Sequence, residues 1–211
     1  MFLAVSQKFT PTPTPVPSLV YIENVPFSSQ APFGNWTDPR QQDGCEETAS
    51  LIAVSWAMGE NLNQQQALDQ IIDIAEYQKD KYGSFTDTSL VDTQKRIIEG
   101  YFHYSKSRIF RVDSVSDLIN KLNSEQVIIV PTNGRLLGNP NFTPPGPERH
   151  NLVIIGYDYK NKEFITHDPG TRKGKNYRYP EDILFNSIRD YPTGEHLPII
   201  QSPKSGLSIF R

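Results

Sequence analysis

The sequence has little of several things on which other classes of protein depend. It contains one cysteine, Cys45, among 211 residues, so no disulfide can form within the chain. The formal net charge is −3, and the sequence lacks the basic excess that proteins use to bind nucleic acid phosphates. No apolar run approaches the ~20 residues that a membrane-spanning helix needs. We therefore expect no disulfide scaffold, no nucleic acid partner and no membrane span in this chain.

The histidines show no pattern that would bind a metal. No two of them have the i, i+4 spacing of one helix face, and none lies in a Cys-His cluster. The four are His103, His150, His167 and His196. A zinc site is not expected, and nothing in the sequence calls for an organic cofactor.

The N-terminal segment differs in composition from the rest of the chain. Proline alternates with small residues over residues 10–18, which favours an extended polyproline II conformation. We predict residues 1–19 to be a linker or tail and residues 20–211 to form one domain. A disordered tail and a tether to the cell surface both fit this composition. The tether would favour the cell envelope or the exterior over the cytoplasm.

Hydrophobic periodicity predicts a domain of mixed α and β structure. The helix that follows Cys45 is apolar nearly all round, as in a buried central helix. A second helix is predicted to begin after Asn63 and a third to cover residues 87–100. Ser114 is a predicted N-cap of a short fourth helix. Strands are predicted at residues 20–28, 127–130, 152–157 and 163–166, the last two forming an antiparallel hairpin.

Cys45 occupies a position where a nucleophile would be placed. A glycine-containing loop, Asp43-Gly44, leads directly into the predicted buried helix. A thiol at a helix N-terminus experiences the positive end of the helix dipole, which lowers the thiol pKa. The alternative is an inert buried cysteine, which is the more frequent role of a lone cysteine.

A histidine and an aspartate follow Cys45 in the order that a cysteine-dependent catalytic site needs. His150 begins one strand of the predicted hairpin and Asp168 ends the other, within a residue or two of the opposite position. Opposed side chains in such a ladder have Cβ atoms ~5 Å apart. Taken alone, His150 could be a structural histidine whose ring nitrogens are hydrogen-bonded within the fold, and Asp168 could be a turn residue. Together with Cys45 they indicate a catalytic triad. His167, the alternative base, should face away from Asp168 because side chains alternate along a strand.

Four segments of the sequence resemble one known family. They cover residues 25–30, 38–46, 150–158 and 167–169 and contain the Gly-Cys, His-Asn and Asp-Pro elements. They look like a bacterial papain-like cysteine peptidase domain related to the double-glycine leader peptidases. The resemblance implies an α+β papain-like fold, in which N-terminal helices include a buried nucleophile helix packed on an antiparallel sheet. The chain departs from the family at Glu46, where many relatives have glycine, and it has no Gly-rich phosphate loop.

The resemblance also implies a glutamine that helps to stabilise the oxyanion. We favour Gln30, because it follows a strand-like segment and can be held rigidly beside the nucleophile helix. Gln41 and Gln42 remain alternatives, although little chain separates them from Cys45. The other donor would be the Cys45 backbone N–H.

The sequence therefore predicts a cysteine hydrolase that cleaves a peptide or amide bond in a peptide or protein substrate. Cys45 would be the nucleophile, His150 the base and Asp168 the residue that orients the imidazole. A hydrolase of peptidoglycan stem peptides and a catalytically inactive relative that binds peptides are the alternatives. An active Cys45 is expected to react with iodoacetamide well below pH ~8.5, the usual free-thiol pKa.

Overall fold

The computed structural model of the protein describes residues 18–199 and 203–211. The predicted linker, residues 1–19, therefore lies outside the described residues except for Ser18 and Leu19. The helices are α1 (Pro39–Gln42), α2 (Cys45–Met58), α3 (Gln64–Tyr82), α4 (Leu90–Asp92), α5 (Val115–Asn123), α6 (Gly134–Leu137) and α7 (Glu181–Ser187), with a π-helix over Thr93–Tyr101. The strands are β1 (Leu19–Tyr21), β2 (Ser107–Arg111), β3 (Val127–Thr132), β4 (His150–Asp158), β5 (Glu163–His167), β6 (Tyr177–Pro180) and β7 (Ser205–Ile209).

The strands form one antiparallel sheet. Its order is β2-β7-β3-β4-β5-β6, and β1 pairs with β4 beyond this path. The central strands β3 and β4 consist almost entirely of buried residues. The predicted β4–β5 hairpin is confirmed. The sheet thus carries His150 at the start of its most central hairpin strand.

Helix α2 is the buried helix that the sequence predicted. All residues from Cys45 to Trp56 are buried, and the helix packs against β4 on one side and α3 on another. It ends at Gly59, which adopts the left-handed conformation that favours glycine. Helix α3 begins after Asn63 in the expected capping arrangement, with Asn63 and Gln66 exchanging hydrogen bonds. The N-terminal helices and the antiparallel sheet confirm the expected α+β fold.

Two predicted elements differ from the observed ones. The third helix begins at Leu90 instead of near residue 87, because Asp87 has a φ of 50° that no right-handed helix accommodates. It then continues as a π-helix up to Tyr101. The predicted strand over residues 20–28 covers only Leu19–Tyr21, since Asn24 takes a φ of 59° and turns the chain out of the sheet.

Candidate active site

Cys45 is the first residue of helix α2, directly after the tight link from helix α1. A Cβ at Gly44 would lie 2.5 Å from the Arg40 carbonyl oxygen, so only glycine permits this close approach. Because Cys45 begins the helix, its backbone N–H has no acceptor within the helix. This N–H is therefore available to a ligand at the helix terminus.

The Cys45 thiol lies among groups that keep it protonated. Its side chain is 6% exposed, and Sγ donates a hydrogen bond to Glu46 Oε2 at 3.0 Å. Burial, followed by the charge of Glu46, raises the pKa of the thiol well above its ordinary value, and a hydrogen bond from the Asn151 backbone N–H lowers it by less. The pKa lowering expected from the helix N-terminus is therefore wrong for this structure, since desolvation and a neighbouring carboxylate outweigh the dipole.

Two consecutive carboxyl groups, Glu46 and Glu47, are buried beside the cysteine. Glu46 Oε1 accepts a hydrogen bond of 2.6 Å from the Tyr191 hydroxyl, and burial raises the pKa of Glu46 to about 7. Glu47 accepts a hydrogen bond from Gln78 Nε2, and burial again raises its pKa well above the ordinary value. The start of helix α2 therefore combines one thiol with two carboxyl groups that water does not solvate.

His150 and Asp168 form a buried pair at the adjoining edge of the sheet. His150 Nε2 lies 2.8 Å from Asp168 Oδ1, and neither side chain is more than 2% exposed. Because Nε2 is engaged by the carboxylate, Nδ1 is the nitrogen left for a second partner. The structure therefore brings together the two residues that the hairpin register suggested.

The hairpin register explains how these two side chains meet. His167 pairs with Val153, and a bulge between Ile154 and Gly156 shifts the ladder by one residue. Continued by one residue, this register sets Asp168 opposite Leu152, on the same face as His150 and diagonal to it. Diagonal neighbours on one face of a sheet remain within reach of long side chains. The contact is thus diagonal, not directly across the strands.

Asp168 is held by more donors than the sequence suggested. Besides His150, it accepts hydrogen bonds from the Tyr179 hydroxyl, from Asn139 Nδ2 at 3.3 Å and from the Gly170 N–H at 3.0 Å. Burial alone would raise the pKa of Asp168, but His150 and these hydrogen bonds more than compensate, so its pKa lies below the ordinary value. Asn139 and Tyr179 lie far from Asp168 in sequence and carry no local signal of this role.

The imidazole of His150 is packed from two directions. Phe142 contacts it edge-on, with ring centroids 5.3 Å apart. A Cβ at Gly170 would lie 2.8 Å from His150 Cε1, so a larger residue there would displace the ring. Phe142 belongs to the proline-rich segment of residues 140–147, which therefore contributes directly to the site and is more than a connector.

His167 is turned away from this pair, as the strand alternation predicted. Its Nε2 lies 3.1 Å from the Val25 carbonyl oxygen, and its Nδ1 accepts a hydrogen bond from the Asn176 N–H at 3.2 Å. Burial lowers the pKa of His167 to about 4. His167 is thus a neutral histidine satisfied by backbone groups.

Gln30 lies beside the helix link that precedes Cys45. Its Nε2 donates to the carbonyl oxygens of Gln41 at 2.9 Å and Gln42 at 2.8 Å, while its Oε1 is buried without a hydrogen-bond partner among the described residues. Gln41 is buried and Gln42 is exposed. The amide of Gln30 therefore fastens the end of helix α1, with both of its N–H groups engaged.

One cleft of about 1050 Å³ connects these groups. Gln30, Cys45 and His150 all line it, together with Trp36 and Phe142, and Asp168 lies buried behind His150. The walls carry charges of both signs, from Asp43, Asp87, Arg135, Glu148, Arg149, Arg172, Lys173 and His196. The volume and the polar lining of the cleft are compatible with binding of a peptide segment.

The described part of the chain contains neither a cluster of potential metal ligands nor a helix able to cross a membrane. Within residues 18–199 and 203–211, no cluster of three or more His, Cys, Asp or Glu side chains is arranged to hold a metal ion. None of the helices in the same residues has the length and apolar character that crossing a membrane requires.

Comparisons with known proteins identify the family and the fold of the chain. The model of the peptidase C39-like family matches residues 22–192. A crystal structure from Bacillus anthracis, described as that of a C39-like peptidase, has a TM-score of 0.58 at 16% identity, covering 92% of this chain and 98% of that chain. The digestive procathepsin L 3 of Tenebrio molitor larval midgut is less similar, with a TM-score of 0.40 at 12% identity, covering 86% of this chain and 71% of that chain. No curated protein sequence matches the chain.

Proposed function

Because the chain belongs to the peptidase C39-like family, we propose that it is a cysteine peptidase with Cys45 as its nucleophile. One observation carries the proposal. The only cysteine of the chain begins a buried helix and shares a cleft with a histidine whose Nε2 is bound to a buried carboxylate. This is the arrangement that nucleophilic catalysis by a thiol needs, with a base and a group that orients the base.

The reaction begins with transfer of the Cys45 proton to His150 Nδ1. The thiolate attacks the carbonyl carbon of the scissile bond, and the imidazolium then protonates the leaving amine, which leaves a thioester on Cys45. A water molecule, deprotonated by His150, attacks the thioester and releases the acid. Asp168 keeps the imidazole in its orientation and stabilises the imidazolium.

The oxyanion of each tetrahedral intermediate needs hydrogen-bond donors. The Cys45 backbone N–H is one, since it lacks an acceptor within helix α2. Gln30 Nε2 is the second in our proposal. Gln30 Nε2 donates to the carbonyl oxygens of Gln41 and Gln42 in the structure. The amide group therefore has to rotate and give up at least one of these hydrogen bonds to donate to the oxyanion.

A second candidate function is peptide binding without catalysis. The observation in its favour is the Cys45 thiol, whose hydrogen bond goes to Glu46 and not to His150 in the described residues. Burial and this carboxylate raise its pKa, so the thiol is not poised as a thiolate without substrate. Hydrolysis therefore requires the thiol to give up its hydrogen bond to Glu46. Peptide binding without catalysis would leave that hydrogen bond in place.

The decisive experiment is product analysis by mass spectrometry after incubation with a peptide library and, separately, with purified cell wall. Cleavage at defined bonds by the native chain and none by Cys45→Ala would support a peptidase. Products from the cell wall alone would identify stem peptides as the substrate. Equal cleavage by both chains, or retention of peptides without cleavage, would overturn the proposed peptidase activity.

A further inference from the structure

Both carboxyl oxygens of Glu46, which follows the candidate nucleophile, accept hydrogen bonds. Oε1 accepts the hydrogen bond of the Tyr191 hydroxyl at 2.6 Å, and Oε2 accepts that of Cys45 Sγ at 3.0 Å. The side chain is fully buried, so no water competes for either oxygen. Tyr191 also accepts a hydrogen bond of 2.6 Å from Asn151 Nδ2, which ties the same network to the residue after His150.

The groups around Glu46 offer it no positive charge in direct contact. Within the described residues no cation makes an ion pair with Glu46, and Asp87 adds a second negative charge that raises the pKa of Glu46. Arg149 and His196 are paired with Asp87 instead, at 3.5 Å and 3.7 Å. On its own helix, Glu46 is flanked by the Cys45 thiol and by the buried Glu47. A negative charge on Glu46 is therefore stabilised by hydrogen bonds from Cys45, Tyr191 and its own backbone N–H, and not by a cation in contact with it.

This arrangement puts two acceptors in competition for one proton donor. While Sγ–H donates to Glu46, the sulfur proton points to a carboxylate that holds it in place as a thiol. Nucleophilic attack requires the same proton to go to His150. The backbone N–H of Asn151, the residue after His150, also donates a hydrogen bond to the sulfur. The thiol proton therefore has to leave Glu46 before His150, which lines the same cleft, can accept it.

We propose that Glu46 holds Cys45 in the protonated, unreactive form in the substrate-free protein and that the thiol must leave Glu46 before His150 deprotonates it. The first half of this statement concerns the free thiol alone, and the second half rests on the proposed function. In the transfer itself, the S–H bond breaks, an N–H bond forms at His150 Nδ1, and Glu46 stays ionised with the Tyr191 hydroxyl and its own backbone N–H as donors.

The test is the pH dependence of alkylation of Cys45 by iodoacetamide, measured on the full chain. Glu46→Gln can keep Tyr191 on its amide oxygen and present Nε2–H to Sγ, so an acceptor becomes a donor at that atom. We expect wild-type Cys45 to react slowly below pH 9. In Glu46→Gln the apparent thiol pKa, read from the pH profile, should fall by about one unit or more, which raises the thiolate fraction at least tenfold at any pH below both pKa values.

Glu47→Gln is the matched control, because this adjacent carboxyl is buried on the same helix but hydrogen-bonds Gln78 and not the sulfur. Its alkylation profile should stay within about threefold of wild type, because the charge of Glu47 raises the pKa of the thiol by less than that of Glu46 does. Tyr191→Phe is a second variant if Glu46→Gln does not fold. It removes a donor from Glu46, which raises the pKa of Glu46 and should increase alkylation at pH 7 by less than Glu46→Gln does.

The readouts separate this inference from the proposed function. A folded Glu46→Gln with the wild-type alkylation profile would overturn it, as would an equal shift in Glu47→Gln. If Glu46→Gln does not fold, unchanged or slower alkylation of Tyr191→Phe would overturn it. If no variant hydrolyses any peptide while the alkylation profile shifts as expected, the peptidase proposal fails and the control of the thiol by Glu46 stands.

Discussion

The two sides of the cleft differ in how fully their buried polar groups are satisfied. On the sheet side, Asp168 accepts hydrogen bonds from His150 and three further donors. On the helix side, Glu47 keeps one carboxyl oxygen without a partner among the described residues, and Glu46 is shared by a thiol and a phenol. The carboxylate of Asp168 is therefore held by four donors, whereas the carboxylate of Glu46 on the helix side holds a thiol proton that can change acceptor.

The same two sides respond in opposite ways to pH. The pKa of Asp168 lies below its ordinary value, because its partners outweigh the effect of burial, and ionisation of this group stabilises the fold. Burial raises the pKa values of Glu46 and Glu47, so their ionisation costs stability. In the proposed peptidase, a rigidly held base would therefore act on a restrained nucleophile. Activity, in this view, depends on releasing the helix side and not on assembling the sheet side.

The largest expected effect is that of removing the base. His150→Ala should lower kcat by up to ~10⁶-fold, the loss found when the base of a catalytic triad is removed. His167→Ala is the matched control: it should keep kcat near wild type but reduce stability, because it leaves Val25 and Asn176 without a hydrogen-bond partner. Steady-state kinetics and urea unfolding measure both effects. If His167→Ala lost more kcat than His150→Ala at equal stability, the assignment of His150 as the base would be wrong.

A smaller loss is expected from Asp168→Asn. Loss of the carboxylate leaves the imidazole in place but removes the charge that stabilises the imidazolium, so kcat should fall by ~10⁴-fold. Tyr179→Phe removes one of the donors to Asp168 and leaves the His150 contact intact, so its loss of kcat should be much smaller. If Tyr179→Phe were as damaging as Asp168→Asn, the sheet side would depend on the whole network and not on the carboxylate.

Replacement of Gln30 is expected to lower kcat by less than Asp168→Asn does. If Gln30 is an oxyanion donor, Gln30→Ala should lower kcat by ~10²–10³-fold and change KM little. Gln42→Ala is the control, because Gln42 lines the same cleft from an exposed position. A Gln30→Ala chain that is less stable but turns over at the wild-type rate would leave Gln30 only the role of fastening helix α1, and would direct attention to Gln41 and Gln42.

The parts of the site that could be predicted are those with local signals. The Gly-Cys link, the apolar run after it and the hairpin carrying His150 are each readable within a few residues, because packing and turn chemistry act locally there. The hairpin then implies the approach of Asp168 to His150. The opposite orientation of His167 follows from strand alternation alone.

The rest depends on contacts between distant segments. Tyr191 reaches Glu46, and Asn139 and Tyr179 reach Asp168, across chain separations that no periodicity records. The expected lowering of the Cys45 pKa failed for the same reason, since only the folded chain shows how deeply Glu46 is buried with the thiol. Strand β7 was not predicted either, and its partners β2 and β3 are distant in sequence.

The smallest expected effect tests the pH contrast between the two sides through stability. The pKa of Glu46 rises from 4.5 to about 7 on folding, so the folded state binds more protons between these values and loses stability as pH rises through them. Glu46→Gln lacks this loss, so its stability relative to wild type should be up to about 3 kcal/mol greater at pH 8 than at pH 4.5. Urea unfolding at both pH values measures this difference. Asp168→Asn should show the opposite sign, because its stability relative to wild type should be lower at pH 8 than at pH 3. A Glu46→Gln difference that does not change with pH would mean that Glu46 ionises as easily in the folded chain as in the unfolded one, and the contrast between the two sides would disappear.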